Sequence, residues 1–394
     1  MHSKVRKKAL IDSICFITDA YPYYDADTRN IFVKRLIRAV ADLGISCWVI
    51  APFFPVSKKK PPKKWTDLSP KHRNKISVFC PRYLSCSNKK IAGFNSVHLT
   101  EHFFSEAVMQ TVIKENIKPD VFYGHFILPS GLSAAKIGKK LSVPSVFAFG
   151  ESTLSGIEDY GLDAVRALTQ EMTAAIAVSS FNQERLIEKA LITPERIGVF
   201  PNGADETLFY PMDKAVAKGA FAIDESDFTV GYVGAFSARK GMPCLQEIMK
   251  KAQNTMVFLC SGKGNLAPHH ENCKLCTALS PKEIPRLLCA ADVFAFPSEN
   301  EGCANAVVEA LLCGLPVVAW DLPCHRDILN ETNALLIPPG DTEGFYQALC
   351  ALRDDATLRA RLSQGAIESS KNLSLTRRAE NITAWLDNMI RKES

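Results

Sequence analysis

The sequence predicts an α/β protein of two tandem Rossmann-like, doubly wound domains facing each other across a cleft. Three observations predict it. Short apolar, β-rich runs alternate with stretches of helical spacing. The alternation occurs twice, on either side of a turn-rich segment at 201–211. A length of 394 residues is enough for two domains, each with a core of its own.

In the first series, residues 13–18 read as a buried strand. Ile31, Val33, Leu36, Ile37 and Val40 recur at helical spacing and stop before Gly44, which predicts a helix over 31–43. Strands are expected at 47–51, 75–79, 121–124, 145–149 and 175–178, and a helix at 132–141. Pro201, Asn202, Gly203 and Asp205 then supply turn chemistry. The second series has strands at 229–233, 255–260, 293–296, 316–319 and 334–337, and helices at 341–352 and 355–368. A last helix, 377–391, has no strand after it. The expected domains are 1–207 and 208–376, with the terminal helix 377–394 packing back on the first.

Composition narrows the class. Hydrophobic residues at 47% and charged residues at 23% are ordinary globular values, which argues against disorder, collagen and coiled coil. Mean hydropathy is −0.01 and no apolar run reaches the length of a membrane span. A net charge of +5 is too small to imply nucleic acid without a concentrated patch. The 13 cysteines are odd in number, irregularly spaced and often set in apolar segments, as free thiols of a reducing compartment would be. The basic start, Lys4 to Lys8, is followed by Asp12 and no small-residue cleavage site, so it reads as a short lead into a strand. A cytoplasmic protein is expected.

One segment carries most of the chemistry. A strand at 293–296 ends at Pro297 and Ser298. A short loop then bears Glu301 and Gly302, and a helix runs from about Ala304 to Cys313, stopped by Gly314. The amides of Gly302 and Cys303 and the helix start at Ala304 form an anion site suited to a diphosphate, which the backbone at Gly302 lets approach closely. Glu309, in the helix body, can accept hydrogen bonds from ribose hydroxyls, while Glu301 lies nearer a sugar beyond the phosphates.

Glu301 and Glu309 in this setting resemble the E-x7-E motif of glycosyltransferase family 4, retaining enzymes of GT-B fold that use nucleotide-sugar donors. Ala177 to Ser180, Val199 to Asp205, and Phe209 with Pro211 are similar to the family's crossover segment. Gly231 to Gly234, with Lys240 and Gly241, is similar to its phosphate loop, and Asp341 stands where a helix follows its proline turn. The resemblance implies Lys240, Glu301 and Arg239 as the catalytic group. It implies Gly234, Lys240, Gly302, Cys303, Ala304, Glu309 and Gly262 as donor contacts. The leaving phosphate would take the acceptor proton, so no side-chain base is named. No metal and no cofactor is expected, because the cations replace a metal. The donor would be a nucleotide-diphosphate sugar, and the acceptor a glycan or a lipid-linked glycan.

The chain departs from the pattern in places. Ala235 stands where an Arg is usual, with Arg239 as the candidate substitute. Phe149 stands where a His usually meets the donor sugar, and Glu151 is the candidate for that contact. Arg29 either faces the diphosphate or is a charge at a helix start. His125 either faces the cleft or is a satisfied loop histidine. Asn202 belongs to the crossover and is a further cleft candidate.

Two segments compete for attention. Gly262 to Ala267 matches a dinucleotide fingerprint, but Pro268 stands where a helix should run, so it reads as a loop near the nucleotide. His269 to Cys276 holds ligand-type residues; a second Cys-x-x-Cys is absent, so a variable loop is the default over zinc. The run Lys58 to Trp65 reads as a solvated loop or as a contact for an anionic membrane at the inner face of the cell membrane. Nucleic acid is not expected, for want of a basic face interleaved with aromatics. A nucleotide-sugar epimerase of similar fold, or a non-catalytic relative that only binds nucleotide or glycan, are the alternatives to a transferase.

Overall fold

In the computed structural model, described for residues 11–23, 29–56, 60–86, 90–91 and 94–393, the chain forms two units. One comprises the residues up to Phe200 together with those from Ala379 onward; the other is Pro201–Arg378.

The first unit is built on a sheet of eight strands. In chain order its strands are β1 (Ser13–Ile17), β2 (Ser46–Ile50), β3 (Lys64–Leu68), β4 (Lys75–Phe79), then, after a two-stranded ribbon of β5 (Lys90–Ile91) and β6 (Phe94–Asn95), β7 (Val121–His125), β8 (Ser145–Phe149), β9 (Ala174–Ala177) and β10 (Ile197–Val199). Their spatial order is β10-β9-β8-β7-β1-β2-β4-β3. All pairs are parallel except β3 with β4. The chain runs outward from β1 on one side and returns to β7 on the other, so the order reverses between β1 and β7. Fully buried Phe122, Phe147 and Phe149 fill the core beside the helix Leu132–Leu141. The terminal helix Leu375–Glu393 joins the unit from its far end: Asp387 accepts from the Ile11 N–H at 3.2 Å, and the Trp385 ring meets Phe200 at 5.4 Å.

The second unit holds a parallel sheet of six strands: β11 (Thr229–Val233), β12 (Val257–Ser261), β13 (Cys273–Cys276), β14 (Val293–Phe296), β15 (Val317–Trp320) and β16 (Ala334–Ile337). The spatial order is β13-β12-β11-β14-β15-β16, which reverses between β11 and β14. Residues 201–207, placed by sequence at the end of the first domain, sit here, because Asn202 bonds Cys303 and the Ala204 N–H bonds Leu373 O at 3.1 Å.

Several local readings differ from the structure. Lys64 and Trp65 open an antiparallel edge strand, where a loop was expected. Lysine is common on such exposed edges, where its charge discourages further pairing. Residues 273–276 form a strand in place of a variable loop, since parallel pairing with β12 satisfies their backbone. The helices Val97–Lys114 and Met242–Ala252 and the strand β10 carry no sequence expectation at all.

Candidate functional site

Ligands of open parallel sheets bind at the carboxyl ends of the strands where the order reverses. In the second unit that place lies beyond β11 and β14. The loop after β11 carries Gly234, Ala235, Arg239 and Lys240, and the loop after β14 carries Glu301 and Gly302.

The two loops are bound together. Lys240 Nζ pairs with Glu301 Oε1, and Ser298 Oγ donates to that same oxygen at 2.6 Å. Both side chains are largely enclosed, with 19% of Lys240 and 11% of Glu301 accessible. The Glu299 N–H donates to Arg239 O at 3.0 Å. Arg239 is exposed and its Nη1 donates to Asn300 O at 3.1 Å, so its guanidinium is engaged with backbone next to the pair. The hydroxyl of buried Tyr232 donates to Ala235 O at 2.9 Å and steadies the first loop from below. Gly262 closes the other side: a Cβ there would meet Gly234 O at 1.9 Å, a contact only glycine permits. The Phe236 N–H donates to Lys263 O at 2.9 Å, so residues 262–266 lie against the loop after β11 and open no helix of their own.

Beyond Glu301 the helix Asn305–Leu312 starts without a side-chain cap, at Ala304. Gly302, Cys303 and Ala304 are buried just ahead of it. Asn202 fixes this turn: its Nδ2 donates to Cys303 O at 2.9 Å and its backbone N–H to Cys303 Sγ at 3.3 Å. Burial pushes the Cys303 thiol up to about 12, so it is a packing group and no nucleophile. Glu309 is half-buried, a turn into the helix. Lys240, Glu301, Gly234, Gly262 and the helix start are thus assembled around one reversal point, and Asn202 supports them from the crossover.

One residue escaped the sequence reading. His325, on the loop after β15, is fully buried, its Nδ1 lying 2.9 Å from Trp320 O. Burial holds its imidazole below the ordinary value and Lys240 adds to this, while the Trp320 bond, Glu301 and Asp321 oppose it. Its only sequence signal was its place just past the end of a strand.

The remaining candidates belong to the first unit. His125 ends β7, buried, with its ring against Phe126 at 4.9 Å and Phe32 at 5.6 Å. Glu151 follows β8. Its Oε1 accepts from the Ile127 N–H at 2.8 Å and its Oε2 from the Gly150 N–H at 2.9 Å. Burial nevertheless raises its carboxyl to about 7. It lines a cavity of about 390 Å³ with Phe126, Leu128, Thr153 and Ile157. Phe149 is wholly buried and packs in the core. Arg29 is exposed beside Asp19, whose Oδ1 accepts from Asn30 Nδ2 at 2.7 Å. The adjoining residues 25–28 lie outside the described residues.

Around the basic run, Lys58 and Lys59 also lie outside the described residues, while Lys60 and Lys63 are exposed. Lys64 pairs with Glu115 at 2.6 Å, and Trp65 is half-buried against Tyr21 and Tyr23. Among the described residues no helix is long and apolar enough to cross a membrane, and no group of three or more His, Cys, Asp or Glu side chains is placed to hold a metal ion.

Comparison with known proteins agrees with the fold. Residues 30–208 match the family described as Glycosyltransferase Family 4, and residues 227–355 the family described as Glycosyl transferases group 1. A Bacillus subtilis (strain 168) protein named TuaC, a teichuronic acid biosynthesis glycosyltransferase, is 23% identical over 346 residues, covering 85% of this chain and 88% of its own. An Escherichia coli UDP-Gal:alpha-D-GlcNAc-diphosphoundecaprenol alpha-1,3-galactosyltransferase is 26% identical over 241 residues, 56% of this chain and 62% of its own. Among solved structures, sucrose-phosphate synthase from Thermosynechococcus elongatus superposes with a TM-score of 0.75 at 18% identity, covering 97% of this chain and 100% of the other. Anabaena Alr3699/HepE in complex with UDP gives 0.70 at 17% identity, covering 95% and 100%.

Proposed function

This chain is a glycosyltransferase of GT-B fold, with a family 4 domain followed by a group 1 domain, and we propose that it moves a sugar from a nucleotide-diphosphate donor to an acceptor hydroxyl with retention of configuration. The observation that carries the reading is the Lys240–Glu301 pair at the point where the order of the second sheet reverses.

As the glycosidic bond breaks, negative charge builds on the leaving phosphate. Lys240 is the compact cation for that charge, and the amides ahead of the helix Asn305–Leu312 are its fixed dipoles. In the free protein Glu301 holds Lys240 in position. The donor diphosphate draws the ammonium over and leaves the Glu301 carboxylate for the sugar hydroxyls. Glu309 accepts from the ribose. The leaving phosphate oxygen takes the acceptor proton as the new bond forms on the same face. With a lysine in that place the reaction needs no metal and no cofactor.

The acceptor is a glycan or a lipid-linked glycan of the cell surface, a reading supported by the relatives named for teichuronic acid biosynthesis and for a diphosphoundecaprenol substrate. A cytoplasmic protein working at the inner face of the membrane, with Lys60 and Lys63 near anionic lipid, is part of the same proposal. The test is incubation with radiolabelled nucleotide sugars with and without membrane extract. A new glycosidic product whose anomeric configuration equals the donor's supports the reading. Inversion overturns retention, and an epimer formed from donor alone makes the chain an epimerase.

A further inference from the structure

The His325 ring is fully buried, and its tautomer is set by one contact. Nδ1 lies 2.9 Å from Trp320 O. A carbonyl only accepts, so Nδ1 carries the ring proton and Nε2 keeps a lone pair. Nε2 is buried and has no hydrogen-bond partner among the described residues. Buried polar atoms are nearly always satisfied, so one that is not calls for an explanation.

The surroundings say which. The ring packs against Phe296, the last residue of β14, with centroids 5.7 Å apart. The neighbouring Cys324 thiol meets the Glu301 backbone N–H. The charges facing the imidazole are Glu301 from the loop after β14, Lys240 from the loop after β11, and Asp321 on its own loop, which is paired in turn with Arg326 at 3.1 Å. While Lys240 is paired with Glu301 and Arg326 with Asp321, these charges cancel and burial favours the neutral ring. A diphosphate that takes Lys240 away leaves Glu301 without its counter-charge, one unpaired carboxylate facing the imidazole, since Asp321 stays with Arg326.

We propose that His325 is a positioning residue of the donor site: when a nucleotide diphosphate takes Lys240 from Glu301, Nε2 takes up a proton from solvent, and the imidazolium becomes the counter-charge that keeps Glu301 ionised and in place. One ion pair is exchanged for two. Lys240 goes to phosphate, His325 goes to Glu301, and the site gains one proton in all. The inference rests on Lys240 being the diphosphate's cation.

The test is calorimetry of the full chain with UDP-glucose, UDP-galactose, UDP-N-acetylglucosamine and GDP-mannose, whose esterified phosphates do not titrate near neutrality, in buffers of differing ionisation heat. The expected result is uptake of up to about one proton per bound nucleotide, and an affinity that rises as pH falls from about 8 to 6. His325→Asn, whose amide still reaches the Trp320 carbonyl, is expected to bind with no buffer dependence. Binding without proton uptake, or uptake unchanged in His325→Asn, overturns the inference and leaves the reading of Lys240 standing. Binding of none of these nucleotides overturns that reading and the inference with it. If His325→Asn does not fold, imidazole 15N spectra of the unaltered protein decide. A buried-histidine Nε2 moving to an imidazolium shift on nucleotide addition supports the proposal, and no such signal refutes it.

Discussion

Gly241 and Pro297 approach so closely that a Cβ on the glycine would lie 1.9 Å from the proline carbonyl oxygen. This contact locks the turn after Lys240 onto the loop that leads to Glu301. Gly241 also has φ +75°, where a side chain is strained in any case.

Gly241→Ala should therefore lower stability by about 2 kcal/mol or more, combining left-handed strain with overpacking. Urea denaturation measures it. Donor affinity should fall as well, because Lys240 is displaced. A variant with the stability and nucleotide affinity of the original protein would show that the loops are not coupled through this contact.

Lys240→Ala and Glu309→Ala should each lower transfer by about 10²–10³-fold, the usual cost of losing a group that meets developing charge or fixes the donor. The melting temperature should move by only a few degrees. Initial rates with saturating acceptor check this. Full turnover in either variant removes that residue from the mechanism.

Glu151 gives a pH dependence of definite sign. Its carboxyl is raised by burial to about 7 in the folded chain, above its ordinary value of 4.5. The unfolded chain thus loses this proton first as pH rises, and the folded chain holds it longer. The contribution is fully present below the ordinary carboxyl value and is lost as pH rises through about 7, amounting to at most about 3 kcal/mol. Denaturation at a series of pH values, compared with Glu151→Gln, should show the slope flattened in the variant. Equal slopes would place the titration elsewhere.

For the basic run, neutralising the exposed lysines 60 and 63 should weaken partition onto anionic vesicles by about tenfold or more, since each lysine near such a surface contributes about 1 kcal/mol. Lys64 is left in place because it pairs with Glu115. Co-sedimentation in low and high salt checks it. Identical partition of the variant ends the membrane proposal.

Most strands of the two sheets, and the loops that bear Lys240, Glu301 and Gly302, were legible because each depends on local chemistry. Apolar periodicity sets a strand or helix, and glycine and proline end it. Two edge strands were not legible, although a third, 334–337, was. Lys64 to Leu68 and Cys273 to Cys276 have polar or mixed patterns, and only a paired neighbour makes them strands. Glu301 and Glu309 were visible as a spaced pair on one loop and helix. The partner of Glu301 was not, since Lys240 lies 61 positions away and the two meet only where two strand ends adjoin.

The sequence by itself determined the two α/β domains, the glycosyltransferase motifs and the residue types at the loops after β11 and β14, because short-range pattern and backbone chemistry act within a few residues of one another. Tertiary structure alone decided that Lys240 is held by Glu301, that Arg239 turns to backbone, that Phe149 is core and that His325 Nε2 has no partner among the described residues. Burial and ion pairing depend on which distant segments pack together, and no window of the chain records that.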